Sequence, residues 1–244
     1  MRWGLSVVAF ALFAIFASDA GANDIQLRAT YHGTVQITSS VGGVYLPLPE
    51  GDWKVVSLQT TRSTETHTPI LNGYLVSLNG MKLKSFISFS ISTESAMHGW
   101  KVPEYCGRTD IYYFEPKDKR ENHEGSEINC WGINHIGMTS GPKAEKYTRD
   151  FYEWVPNNTS GMPINTIEVE YNRASGVKFL RARYYFNPEA DGFDPPKNAA
   201  WRSSDWHRDR LHLDPKKVEY MEHIKAWAIS WKNRLESGFR GNPS

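Results

Sequence analysis

The chain has 244 residues, with 28 Lys and Arg against 27 Asp and Glu and a net charge of +1. A balance this even gives no bulk attraction for nucleic acid, an acidic polymer or an anionic membrane. Nine Trp and twelve Tyr suit a β-rich core or a carbohydrate-stacking surface, and the length allows one large domain that folds without a lattice of metals or disulfides.

Arg2, an apolar run over residues 5–17 and Ala20-Gly21-Ala22 together predict a secretory signal peptide over residues 1–22. The run is shorter than the roughly 18 residues a spanning helix needs, and no cysteine follows the cleavage point to take a lipid. The expected product is a single soluble domain over residues 23–244, periplasmic or secreted, with no membrane span, no nucleic-acid partner, no cofactor and no metal.

The first half of that domain reads as strands. Residues 34–38 alternate polar and apolar, and residues 53–59 follow the turn Pro49-Glu50-Gly51-Asp52. Asn79-Gly80 is the strongest hairpin signal, because a two-residue Asn-Gly loop matches the twist of paired strands. Counting outward from it sets Leu78 opposite Met81, Val76 opposite Leu83 and Ser77 opposite Lys82, with Ile87, Phe89 and Ile91 on the Met81 face. An antiparallel sheet covered on one side is the expectation.

Cys106 and Cys130 are the only cysteines, and in an oxidising compartment a lone pair predicts a disulfide. Closing a loop of about 25 residues stabilises by roughly 3–4 kcal/mol in the chain-entropy model. Metal ligation is the rival, but His98, His123 and His135 match no zinc spacing. Residues 111–114 and 128–136 are apolar and flank a polar loop over 115–127. Pairing Phe114 with Ile128 would hold the two sulfurs roughly 20 Å apart, against the ~7 Å between Cα atoms that a bridge allows. The disulfide therefore predicts that the segments do not pair in that register.

Residues 167–171 and 177–186 predict a second hairpin through residues 172–176. Ile167, Val169 and Tyr171 alternate with Glu168 and Glu170, which predicts one wet face. Residues 187–196 read as a loop, and a short helix after Pro196 is expected to carry Trp201. At the end of the chain, Asp214 as N-cap, Pro215 at the first helical position and Gly238 as the C′ stop predict a helix over about 215–237. Tyr220, Met221, Ile224, Trp227, Ala228, Trp231 and Leu235 form its apolar stripe. The fold class is α+β: an antiparallel sheet with the long amphipathic C-terminal helix packed on it.

Chemistry is sought first around the cysteines. Glu104, Arg108 and Asp110 flank the first, and Asn134 and His135 follow the second. His135 with Asp110 as orienting carboxylate makes a candidate general base, with Glu104 and Arg108 as further candidates. The same residues read equally well as a salt-linked corner beside a bridge. The sequence holds no Gly-x-Ser-x-Gly elbow, His-Glu-x-x-His, phosphate loop or dinucleotide fingerprint. Ser203-Ser204-Asp205-Trp206-His207 reads as a turn or N-cap.

Residues 46–53 (Leu-Pro-Leu-Pro-Glu-Gly-Asp-Trp), Cys106-Gly107-Arg108-x-Asp110, residues 130–135 (Cys-Trp-Gly-Ile-Asn-His) and the Trp227…Trp231…Gly238-Phe239 ending resemble features of uncharacterised exported proteins of Gram-negative bacteria. The resemblance implies a periplasmic address and transfers no functional residue. The expected function is that of a non-catalytic envelope protein that binds a ligand, glycan or protein; the alternative is a hydrolase of an envelope polymer acting through residues near the disulfide.

Overall fold

The computed structural model describes residues 24–115, 127–138, 144–197 and 200–243. The expected signal peptide lies outside the described residues, as does most of the polar loop between the cysteines. Among these residues ten strands and two α-helices follow in order: β1 Thr30–Tyr31, β2 Thr34–Ile37, β3 Val44–Pro47, β4 Trp53–Arg62, β5 Pro69–Asn79, β6 Lys82–Ser92, β7 Tyr113–Glu115, β8 Ile128–Gly137, α1 Lys146–Asn158, β9 Asn165–Ala174, β10 Phe179–Phe186 and α2 Pro215–Phe239. Eight strands form one antiparallel sheet in the order β1-β4-β5-β6-β10-β9-β8-β7, and β2 with β3 forms a small second sheet. The expected α+β architecture is present. Among the described residues no helix is long and apolar enough to cross a membrane.

One face of the large sheet carries the main core. Leu75, Ile87, Phe89, Ile91, Val169, Leu180 and Ile133 pack there against Val35, Ile37, Val44 and Leu46 of the small sheet and against α2. Helix α2 presents Met221, Ile224, Ala228, Trp231 and Leu235, with Tyr220 and Trp227 at the margin, so the stripe expected from a 3.6-residue period is the docking face. Asp214 caps it, accepting from the Lys216 N–H at 3.1 Å. Gly238 does not stop the helix. It is buried within the last turn, and the left-handed glycine beyond the end is Gly241, at φ 86°.

The second face is covered as well, which corrects the expectation of a sheet packed on one side only. Helix α1 lays Phe151 and Val155 on Tyr74, Val76, Phe86 and Tyr185. This helix was not among the expected elements, although Tyr147, Phe151, Trp154 and Val155 recur at helical spacing and pack on the sheet. At the other end of the same face, the turn Glu104–Gly107 folds over β8, and Cys106 bonds to Cys130 with Cα atoms 5.6 Å apart. Trp100 and Phe179 stack beside the bridge. Strands β7 and β8 do pair, but with Phe114 opposite Gly132 rather than Ile128. That displaced register lets the bridge and the ladder coexist.

The first hairpin also differs in register. Asn79 pairs with Lys82 and Leu78 with Leu83, so the loop is Gly80-Met81. Gly80 takes the positive φ, 59°, at the first loop position, where glycine alone is unstrained; Asn79 is spared that conformation. Met81 is thereby 64% exposed. A register shift between Ser77 and Leu78 then returns Ile87, Phe89 and Ile91 to the core face.

Candidate functional site

Because side chains alternate along a strand, Ile167, Val169 and Tyr171 take the core face of β9 and Glu168, Glu170 and Asn172 take the other. The ladders place each of these in a row. Gly132, Glu170, Arg183, Ser88, Tyr74 and Ser57 are successive partners across β8, β9, β10, β6, β5 and β4. The next row reads Cys130, Asn172, Arg181, Ser90, Asn72 and Gln59. Two adjacent rows of a wide sheet are thus nearly all polar, lying between the α1 cluster and the disulfide cluster.

This corrects the wet-face reading of β9. Glu168 and Glu170 are only 5% and 2% exposed, and they are tolerated there because a cation faces them. Arg183 Nε donates to Glu170 Oε2 at 2.6 Å and lies 3.9 Å from Glu168 Oε2. Asn172 Nδ2 donates to Glu170 Oε1 at 2.8 Å. Further along, Ser90 Oγ donates to Asn72 Oδ1 at 2.7 Å, and Asn72 Nδ2 donates to Thr61 Oγ1. Arg183 keeps 30% of its side-chain surface exposed although it sits mid-sheet, so solvent reaches the stripe from above.

Burial and the neighbouring Glu170 charge push the Glu168 carboxyl up to about 7. Burial works to lower the Arg183 pKa, but Glu170, Tyr185 and Glu168 more than offset it, and the group lies above the usual arginine range. Arg181 is lowered, first by burial and then by Arg183. Tyr105 reaches the stripe from the disulfide turn: a Cβ placed on Gly132 would come within 3.0 Å of its hydroxyl. Burial, then Glu168 and Glu170, hold that phenol well above its ordinary value. Three buried polar atoms in this neighbourhood have no hydrogen-bond partner among the described residues, namely Tyr105 Oη, Asn134 Nδ2 and Asn172 Oδ1. Asn134 is the register partner of Glu168.

Of the residues singled out around the cysteines, His135 pairs with Ile167 and so takes the core face of β8, opposite the stripe, whereas Arg108 and Asp110 follow the disulfide turn. Arg108 and Asp110 form a forked pair, Nε to Oδ1 at 2.8 Å and Nη2 to Oδ2 at 2.9 Å. The Arg108 guanidinium holds the Asp110 carboxyl below its usual range and lies 5.3 Å from the Trp201 ring centroid. His135 is buried, and its Nε2 sits 2.8 Å from the Trp201 carbonyl. A carbonyl only accepts, so Nε2 carries the proton. The ring stacks on Trp201 and meets His207 edge-on, and burial pulls its pKa down to about 4. Asp110 and His135 are therefore engaged with different partners. Asp110 and His207 line a cleft of about 490 Å³ in which His135 takes no part. Glu104 is exposed on the disulfide turn. Ser204 forms a turn, accepting from the Trp206 N–H at 3.1 Å.

Among the described residues no group of three or more His, Cys, Asp or Glu is placed to hold a metal ion. The residues that single-strand reading missed are Glu168, Glu170, Arg181 and Arg183. Their signal is joint: Glu-x-Glu and Arg-x-Arg on the two arms of one hairpin, with matched parity. Comparison with protein-family models, with curated proteins and with solved structures finds no match to this chain.

Proposed function

We propose that this is an exported envelope protein that binds a polar ligand without turning it over, and that the ligand lies along the two polar rows on the α1 side of the sheet. One observation carries the reading: buried hydrogen-bonding atoms on Tyr105, Asn134 and Asn172 stand without partners beside a charge cluster that is otherwise paired. An unsatisfied buried polar atom costs about 1–3 kcal/mol, and a ligand that pairs with these atoms relieves that cost. The Cys106–Cys130 bridge supports an oxidising address, and with the expected signal peptide it supports the periplasm. The test is a thermal-shift and NMR titration of the oxidised protein with soluble fragments of envelope glycans and peptides, alongside a Ser88→Leu, Ser90→Leu double variant that fills the stripe. Saturable binding by the parent and none by the filled variant is expected; equal binding by both removes the reading.

A second reading, hydrolysis of an envelope polymer, draws on the carboxyl of Glu168 raised to about 7 beside Glu170. A carboxyl raised toward neutrality is what general acid catalysis uses. Release of new reducing ends or amines from envelope polymer by the parent, abolished in Glu168→Gln, would establish it. Binding with no release rejects it.

A further inference from the structure

Arg183 and Arg181 are neighbours in type and position but not in satisfaction. Arg183 has Glu170 and Glu168 within 4 Å. Arg181, one row away, has no carboxylate within that distance among the described residues, and its one hydrogen bond runs from Nη2 to Ser90 Oγ at 3.5 Å, the limit of a bond. A guanidinium has five N–H donors in a planar fork. Arg181 is half-buried in mid-sheet, where a cation with no carboxylate beside it among the described residues is costly, and the positive Arg183 alongside it adds repulsion rather than relief.

Directly across the ladder from Arg181 stands Asn172. Its amide nitrogen is committed to Glu170, while its Oδ1 has no donor although the residue is only 1% exposed. The register pair therefore combines a fork of donors with one weak bond and an acceptor with none among the described residues. An oxyanion fits the fork, and a group bearing N–H or O–H beside that oxyanion fits Asn172. The nearby Glu170 and Glu168 disfavour a dianion, which favours a singly charged carboxylate over phosphate. A carboxylate with an N–H on the adjoining carbon is the terminus of a peptide.

We infer that Arg181 and Asn172 form a subsite for the free C-terminal carboxylate of a peptide, Arg181 taking the carboxylate and Asn172 Oδ1 the terminal amide N–H. This rests on the polar-stripe reading of the ligand site and adds the class of ligand to it.

The experiment is a calorimetric and NMR titration of the oxidised protein with N-acetyl-alanyl-alanine, its C-terminal amide, glucuronate and inorganic phosphate. The free acid should bind at least ten-fold more tightly than the amide. Arg181→Met should remove that difference while leaving the fold intact, since it deletes an unpaired charge and keeps the length of the side chain; Arg181→Lys should restore part of it. Asn172→Leu should weaken the acid and spare glucuronate. Equal affinity for acid and amide, no binding of the acid, or an unchanged acid in Arg181→Met overturns the inference. Tighter binding of glucuronate or phosphate than of the peptide acid overturns the peptide assignment. If the amide binds and the filled Ser88→Leu, Ser90→Leu variant excludes it while Arg181→Met has no effect, the stripe remains the ligand site and only this subsite falls.

Discussion

Gly238 of α2 lies against the backbone of Tyr45 in β3: a Cβ on the glycine would stand 1.8 Å from the Tyr45 carbonyl oxygen. The obstacle is main chain on both sides, so it cannot rotate away as a side chain would. Gly238→Ala must therefore push the last turn of α2 off the small sheet. A destabilisation of about 3 kcal/mol is expected in the urea midpoint, and a change below about 0.5 kcal/mol would show that the helix end is not held there.

The docking face of α2 can be separated from its outer face by two substitutions two residues apart. Trp231 is buried against Tyr184 and Trp227, whereas Ile229 is 50% exposed. Trp231→Ala should cost about 3–5 kcal/mol. Ile229→Ala should change stability by no more than about 0.5 kcal/mol. Comparable losses at both sites would mean that the helix is rotated.

Cys106 and Cys130 close a loop with a sequence separation of 24. The Cys106→Ser, Cys130→Ser double variant should lose about 3–4 kcal/mol in denaturant unfolding. It should also loosen the turn that brings Tyr105 over the stripe, so ligand binding should weaken beyond the stability loss. Reduction of the parent protein should reproduce both effects.

Two buried groups give opposing pH dependences. His135 titrates at about 4 in the folded chain against an ordinary 6.5, so the folded state binds fewer protons between those values. Its contribution is full above pH 6.5 and is lost on acidification, by about 3 kcal/mol in total. Glu168 runs the other way, raised from 4.5 to about 7. Its proton is retained by the folded state and released by the unfolded one, so stability is greatest below 4.5 and declines as the pH rises through 7. Between pH 4.5 and 6.5 the two slopes oppose. Glu168→Gln should make stability rise with pH across that window, and His135→Gln should make it fall. Chemical denaturation of both variants at a series of pH values reads the two slopes separately. Parallel slopes in the two variants would remove the assignment.

Much of this architecture is legible from local pattern. The period of α2, its Asp214-Pro215 start and the disulfide partnership follow from spacing and cysteine count, because each is decided by neighbours in sequence or by having a single possible partner. The β5–β6 hairpin is legible in existence but not in register, since one residue of turn choice moves every partner. Gly238 reads as a helix stop because its special property is visible while its purpose, the approach of Tyr45, lies nearly two hundred positions away.

The sequence by itself determined the alternation of β9: which residues share a face, and that Glu168 and Glu170 are on the face opposite Val169. Whether that face is wet was decided only in three dimensions, when α1 and the disulfide turn packed on either side of it and β10 set Arg183 beside the two acids. Alternation is a property of one strand, whereas burial and charge pairing belong to the elements packed around it. The polar stripe, with the partnerless Oδ1 of Asn172 and an Arg181 that meets no carboxylate among the described residues, exists only where six strands and two flanking segments meet.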